Sequence, residues 1–181
     1  RAMPNRTVIS PADAVEVRAA MIAANDGDGP VYIRMTRDPE TVVFPSDYTF
    51  EIGRTIVVRE GCDVTIFSTG AQTVRCLQAA DLLAGSGISA HVVHVPTIKP
   101  LDAEGIAEAA ARTGRVVTAE DHTIIGGLGG AVAEALGELQ PTPMRRVGIR
   151  DTFGESAANE DLLEKYGITP EHVADAARAL L

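Results

Sequence analysis

Tryptophan is absent from the 181 residues, and aromatic residues make up only 4% of them. A core built without large rings must rely on Ala, Val, Ile and Leu, which suits helices packed on a buried parallel sheet. Basic residues are in deficit, with 16 Lys and Arg against 25 Asp and Glu and a net charge of -9. That field repels phosphate backbones and argues against a nucleic-acid partner, although it leaves room for a local anion pocket. No apolar run is long enough to span a bilayer, and no basic start leads into an apolar leader. The two cysteines, Cys62 and Cys76, are too few for a disulfide framework, so a reduced, cytoplasmic setting is expected. No Cys/His spacing supports a metal site. His91 and His94 lie three apart in an extended run and point to opposite sides. His172 falls in the first turn of a helix. The chain begins with Arg1 rather than Met, as expected either of an internal piece of a longer protein or of foreign residues placed ahead of Met3.

What is present alternates between strand and helix signals. In "RTVISPADAVEVRAAMIAA" a short apolar run, Val8 and Ile9, precedes Ser10 as expected N-cap and Pro11 as first helical residue. Ala14, Val17 and Met21 follow at helical spacing. "NDGDGP" breaks the helix, and "VYIRMTR" reads as a strand with Val31, Ile33 and Met35 on one face. This opening is a piece of a parallel sheet too small to fold alone. Residues 38–54 are polar, carry two prolines after Asp38 and show no sustained period, so they read as a linker.

From residue 55 onward the alternation is regular. "DVTIFSTG", "SAHVVHV", "RVVTAE" and "MRRVGI" read as strands. Between them lie helices over "AQTVRCLQAADLLAGSG", "LDAEGIAEAAART" and residues 128–139, and two more close the chain. Val74, Leu77, Ala80 and Ala84 form the expected apolar arc of the first of these helices, with Gln72, Arg75 and Gln78 opposite. Asp102 and Thr169 are expected caps. The fold class is therefore α/β, a mainly parallel sheet with helices on both faces, preceded by a fragment of a second α/β domain.

Three stretches carry candidate chemistry. "EDHTIIGGLGGAVAEAL" has the look of a phosphate loop, but Val132 stands where a dinucleotide fingerprint needs its third glycine. Gly126 to Gly130 therefore read as close packing at a helix start, near the sheet or another subunit. His122 could serve as a general base oriented by Glu120 or Asp121, but no nucleophile accompanies it. In "VYIRMTRDP", Arg37 falls at the carboxyl end of the strand, where open α/β sheets bind ligands. It either grips a phosphate or pairs with Asp38 or another acid. "DTFGESAANEDL" reads as an ordered loop fastened by Phe153, with Asn159 as a possible helix cap.

Taken in order, "GPVYIRMTRDP", "REGCDVTIFSTGAQTVRCLQAADLLAGSGISAHVVHVPTIKPLD", "VVTAEDHTIIGGLGGAVAE" and "RVGIRDTFGESAANEDLLEKYGIT" resemble the C-terminal region of transketolase, especially the C-terminal subunit of split bacterial transketolases. "TIKPLD" and "GGLGGAVAE" are also similar to deoxyxylulose-phosphate synthase and to 2-oxoacid dehydrogenase beta subunits. Ala157 departs from the glycine that usually follows "FGES".

The resemblance implies an intact enzyme that transfers a two-carbon ketol unit between sugar phosphates. It implies thiamine diphosphate and a divalent metal, magnesium, as cofactors. It implies a homodimer with an N-terminal transketolase subunit or domain as partner. Residues 1–37 would be the C-terminal edge of the pyrimidine-binding domain, 38–54 an interdomain linker, and 55–181 the C-terminal domain. No catalytic, cofactor or metal residue is expected in this segment, and alone it should be inactive. Gly27-Asp28-Gly29 is not the family's diphosphate motif, since no strand precedes it and no Asn-Asn follows. One residue carries over: Arg37 matches the family's substrate phosphate-binding arginine. Arg34 points to a different side of the strand and does not inherit the role. The alternatives are a related thiamine-diphosphate enzyme or a non-catalytic regulatory or dimerisation module.

Overall fold

Two sheets organise the protein in a computed structural model, which describes residues 1–37 and 39–181. In chain order the elements are β1 (Thr7–Ile9), α1 (Ala14–Asn25), β2 (Val31–Ile33), β3 (Ile56–Arg59), β4 (Val64–Ser68), α2 (Gln72–Ala84), β5 (Ala90–His94), β6 (Thr97–Lys99), α3 (Ala103–Thr113), β7 (Val116–Thr123), α4 (Leu128–Leu139), β8 (Met144–Ile149), α5 (Asn159–Lys165) and α6 (Pro170–Arg178). The larger sheet runs β3-β5-β4-β7-β8. Its last four strands are parallel, and β3 joins the edge antiparallel.

Alternation along the central strands sends side chains to two cores. Val64, Ile66, Val92, Val117 and Ala119 meet Cys76, Ala79 and Leu83 of α2 and Val173, Ala174 and Ala177 of α6. Phe67, Val93 and Val116 meet Ile106 and Ala110 of α3 and Leu128, Val132 and Leu136 of α4. Helices thus cover both faces, as expected. Burying Leu83 or Ile106 in these layers contributes about 1.5–3 kcal/mol each. Gly61 is required where the chain enters β4, because any side chain there would run into the backbone of Ala90.

The small sheet has the order β2-β1-β6. β1 and β2 pair in parallel, Val8 opposite Tyr32, while β6 from the larger part pairs antiparallel with β1. The N-terminal strand is thus held by a strand about ninety residues further on. Lys99 reinforces this by donating from Nζ to the carbonyl of Met3 at 2.6 Å.

The start of α1 differs from the sequence expectation. The N-cap is Asp13, not Ser10, and its Oδ1 accepts the Glu16 N–H at 2.8 Å. Ser10 is committed elsewhere: its N–H donates to Pro96 and its carbonyl accepts from Gly70. The buried residues of α1 are Glu16 and Ala20, whereas Met21 is 56% exposed. A similar shift occurs in α2, whose inner face includes fully buried Gln72 donating to the Ile168 carbonyl at 3.0 Å. In both helices a polar side chain with an internal partner displaces the apolar stripe from the face that periodicity alone assigns.

Residues 39–54 contain neither helix nor strand, yet they are tied down. The N–H groups of Val43 and Phe44 donate to Asp13 Oδ2 at 2.6 and 2.9 Å. Phe44 is buried and stacks on Tyr48 with ring centroids 4.4 Å apart.

Candidate functional site

The glycine loop is best understood from the strand before it. β7 continues through Thr123, three residues beyond Glu120, because Thr123 still pairs with Ile149 of β8. Glu120 is turned inward and is 1% exposed. One carboxylate oxygen accepts from Leu128 N and the other from Gly129 N, both at 2.8 Å. These are among the orphan donors at the N-terminus of α4, where the helix dipole favours negative charge. Gly126 turns the chain with φ +75°, and a side chain at Gly127 would collide with the Glu120 carboxylate. Gly148 of β8 lies against the Glu120 stem, so a side chain there would come 3.0 Å from its Cγ. The loop does cradle an anion, but the anion is the protein's own carboxylate. Burial pushes the Glu120 pKa above the usual carboxylate value, and the Gly129 and Leu128 N–H groups oppose that shift.

His122 is exposed, and its Nδ1 lies 3.0 Å from the Thr123 carbonyl. Neither acid orients it as a catalytic base. Glu120 is engaged by α4, and Asp121 lies 3.8 Å from Arg34. Arg34, Arg6, Tyr32, His122 and Glu120 do come together around a cleft of about 270 Å³ that Gly126, Gly127 and Leu128 also line.

Arg37 is exposed and stands four residues past the end of β2. It lines a different cavity, of about 310 Å³, with Pro11, Ala12, Asp13, Met35 and Glu40. Arg34 and Arg37 therefore address separate spaces. Asp38, the expected alternative partner of Arg37, lies outside the described residues. Glu40 is taken by Arg75 at 3.4 Å.

The sequence reading missed a buried polar chain behind this cavity. Glu16 and His94 are both fully buried, with Oε2 to Nε2 at 2.8 Å. Ala12 N donates to the same oxygen at 2.6 Å, and the Tyr48 hydroxyl donates to the other at 3.1 Å. His94 Nδ1 is 2.7 Å from Thr73 Oγ1, which accepts from the Ser68 hydroxyl. Donors running Ser68, Thr73, His94, Glu16 satisfy every member with a neutral imidazole protonated at Nε2. Burial and the Glu16 charge raise the Tyr48 phenol well above its ordinary value. A signal existed in Asp13-x-x-Glu16, the spacing of a capping box. Here the glutamate turns inward to His94 instead of back to the cap.

The "DTFGES" loop also departs from expectation. Phe153 is 96% exposed and fastens nothing. The loop is held by Tyr166, whose hydroxyl reaches the Phe153 carbonyl at 3.2 Å and Glu155 at 2.8 Å. The N-cap of α5 is Ala158, with Asn159 the first helical residue. Thr169 does occupy the cap position of α6, but its hydroxyl is bonded to His172 Nδ1 at 2.8 Å.

The parallel sheet, its helices on both faces and the internally capped glycine loop define an open α/β domain. The family model for the transketolase C-terminal domain matches residues 53–173, and the chain belongs to that family. It is 46% identical over 177 residues to the 6-deoxy-6-sulfo-D-fructose transketolase subunit SqwH of Clostridium sp. (strain MSTE9), covering 98% of this chain and 55% of that protein. It is 40% identical over 185 residues to the 1-deoxy-D-xylulose-5-phosphate synthase of Symbiobacterium thermophilum, covering 100% of this chain and 28% of that protein. A solved split-gene transketolase, described as an inactive beta4 tetramer, superposes with a TM-score of 0.97 at 48% identity. The match covers 100% of this chain and 59% of that one. The chain thus spans about half the length of its transketolase-subunit relatives. No helix among the described residues is long and apolar enough to cross a membrane.

Proposed function

We propose that this chain is the C-terminal part of a transketolase that moves a two-carbon ketol unit between sugar phosphates. The observation that supports this most is the match along 98% of the chain to a transketolase subunit. In this reading residues 1–37 are the edge of the pyrimidine-binding domain, 38–54 connect it, and 55–181 form the C-terminal domain. The segment serves assembly, as a homodimer joined to an N-terminal transketolase subunit or domain. The free thiols of Cys62 and Cys76 accord with a cytoplasmic setting. Arg37 is the residue that touches substrate, gripping the sugar phosphate with two parallel hydrogen bonds.

Thiamine diphosphate and magnesium are the cofactors of the intact enzyme in this reading. In this reading the residues that hold them lie outside this segment. The helix N-terminus that resembles a diphosphate cradle is filled by Glu120. Among the described residues, no group of three or more His, Cys, Asp or Glu side chains could hold a metal ion.

Calorimetry of the 181-residue chain with thiamine diphosphate and magnesium should show no micromolar binding. Micromolar affinity would refute this division of labour. In the assembled enzyme, Arg37→Ala should raise KM for a phosphorylated ketose by about 10–100-fold with a smaller change in kcat. The 40% identity to a deoxyxylulose-phosphate synthase supports a second reading, the C-terminal domain of such a synthase. Failure of the assembled enzyme to use any ketose phosphate as donor would leave that reading standing.

A further inference from the structure

The chain carries a net charge of -9, yet one concavity gathers cationic side chains. Arg145, Arg146 and Arg150 line a cavity of about 450 Å³ along β8, together with Ile124, Gly148, Tyr166, Gly167 and His172. Among the described residues β8 is an edge strand, hydrogen-bonded to β7. Alternation places Arg145 on the α6 side and Arg146 on the α4 side, and Arg150 follows the last strand residue, so the three surround the edge. All the lining residues lie between Ile124 and Ala176, within the C-terminal domain, and none belongs to the Arg37 cavity or to the Arg34 cleft.

The nearby acids do not neutralise this cluster. Among the described residues, Arg145 and Arg150 have no carboxylate within ion-pairing distance. The Arg146 side chain donates from Nη1 to the Ile124 carbonyl at 3.2 Å. Glu155, on the adjoining loop, is held by Lys165 at 2.6 Å and by the Tyr166 hydroxyl. His172 has its Nδ1 bonded to Thr169, which leaves Nε2 for another partner. Like charges gathered without counter-charge repel one another, and an anion relieves that repulsion.

We propose that this cavity is a binding site for a small phosphorylated anion, a phosphomonoester or a diphosphate. The volume falls in the range of small-molecule sites. Guanidinium forks match phosphate oxygens. Apolar contact is limited to Ile124, Val147 and Ala176, so charge is what the site recognises. Because Arg146 holds the Ile124 carbonyl, an occupant would also brace the loop that leads to Gly126 and Gly127. The site does not rest on the transketolase reading, and it is distinct from Arg37.

The test is an amide NMR titration of the full chain at low salt with inorganic phosphate, pyrophosphate and fructose 6-phosphate. Saturable shifts are expected at Gly148, Arg150 and Gly167. The double variant R145A/R150A, whose exposed side chains leave the fold intact, should weaken them by about tenfold or more. R145K/R150K should give an intermediate affinity, and R37A should leave these shifts unchanged. Shifts confined to Arg6 and Arg34 or to Arg37, or shifts that survive R145A/R150A, would overturn the site. Shifts at Gly148 and Gly167 with poly-glutamate but with none of the phosphates would overturn the small-ligand assignment.

Discussion

The Glu120 carboxylate occupies the space into which a side chain at Gly127 would project. The glutamate satisfies the first N–H groups of α4, and the glycine makes room for it. Gly127→Ala should therefore destabilise the protein by about 2–3 kcal/mol through overpacking. Glu120→Ala should cost about 1–3 kcal/mol by leaving the Leu128 and Gly129 N–H groups unpaired. In the Glu120→Ala background the cost of Gly127→Ala should shrink, although the Thr123 carbonyl at 2.6 Å keeps it above zero. Urea unfolding of the four proteins checks this, and strictly additive losses would contradict the shared space.

The same carboxylate sets a pH dependence. Its folded-state pKa lies above the ordinary glutamate value because burial disfavours the charged form. A raised folded pKa means that its contribution to stability is fully present below the unfolded value. That contribution is lost as pH rises through the folded one. The stability of the native protein relative to Glu120→Gln should accordingly fall as pH climbs from about 4.5 through that raised pKa. Denaturation at a series of pH values gives the difference directly. A difference that rises with pH over that interval would reverse the sign and sink the assignment.

A second joint, Glu16 to His94, ties α1 to β5 across 78 positions of sequence. Removing one partner leaves buried donors facing each other or facing nothing. Glu16→Ala should cost about 3–5 kcal/mol. Its effect should be largest on the hydrogen-exchange protection of Ala14–Asn25 and on protease resistance in residues 39–54, since Tyr48 shares the carboxylate. Glu16→Gln keeps the volume but places an amide N–H₂ against existing donors, so it should be intermediate. Uniform loss of protection over the whole chain, with no excess at α1, would show that the pair is not a local joint.

The alternation of the sheet was legible because β4, β5 and the start of β7 are short runs rich in β-branched residues, with helices of ordinary spacing between them. Leu128–Leu139 and the Asp102 cap fell where the pattern put them. The short strands β3 and β6 were not legible, since their pairing is set by distant partners, β3 with β5 and β6 with β1. At the candidate sites, the family resemblance pointed to Arg37 and the glycine pattern to the start of α4. What filled that helix start was hidden, because an acid at the end of a strand looks the same whether it faces solvent or a helix. His94 was read only as half of a failed metal pair, since its partner Glu16 lies in another part of the chain. The misplaced inner faces of α1 and α2 have a common cause: Glu16 and Gln72 are polar residues buried by specific hydrogen bonds, which a hydrophobic pattern counts as outward.

Thiol chemistry offers a test of the packing on the α2 face. Cys62 is exposed at the turn into β4, whereas Cys76 is fully buried among the side chains of α2, the sheet and α6. Burial raises the Cys76 thiol far above its ordinary value, and nearby Arg75 offsets only part of this. Reaction requires both a thiolate and access, and Cys76 has neither in the folded state. With a thiol-specific chromogenic disulfide at mildly alkaline pH, Cys62 should react promptly. Cys76 should react only as the domain opens, so its rate should follow urea concentration through the unfolding transition. Cys62→Ser should abolish the fast phase and leave the slow one. Equal reaction rates for the two cysteines in native buffer would mean that α2 does not pack on the sheet as described.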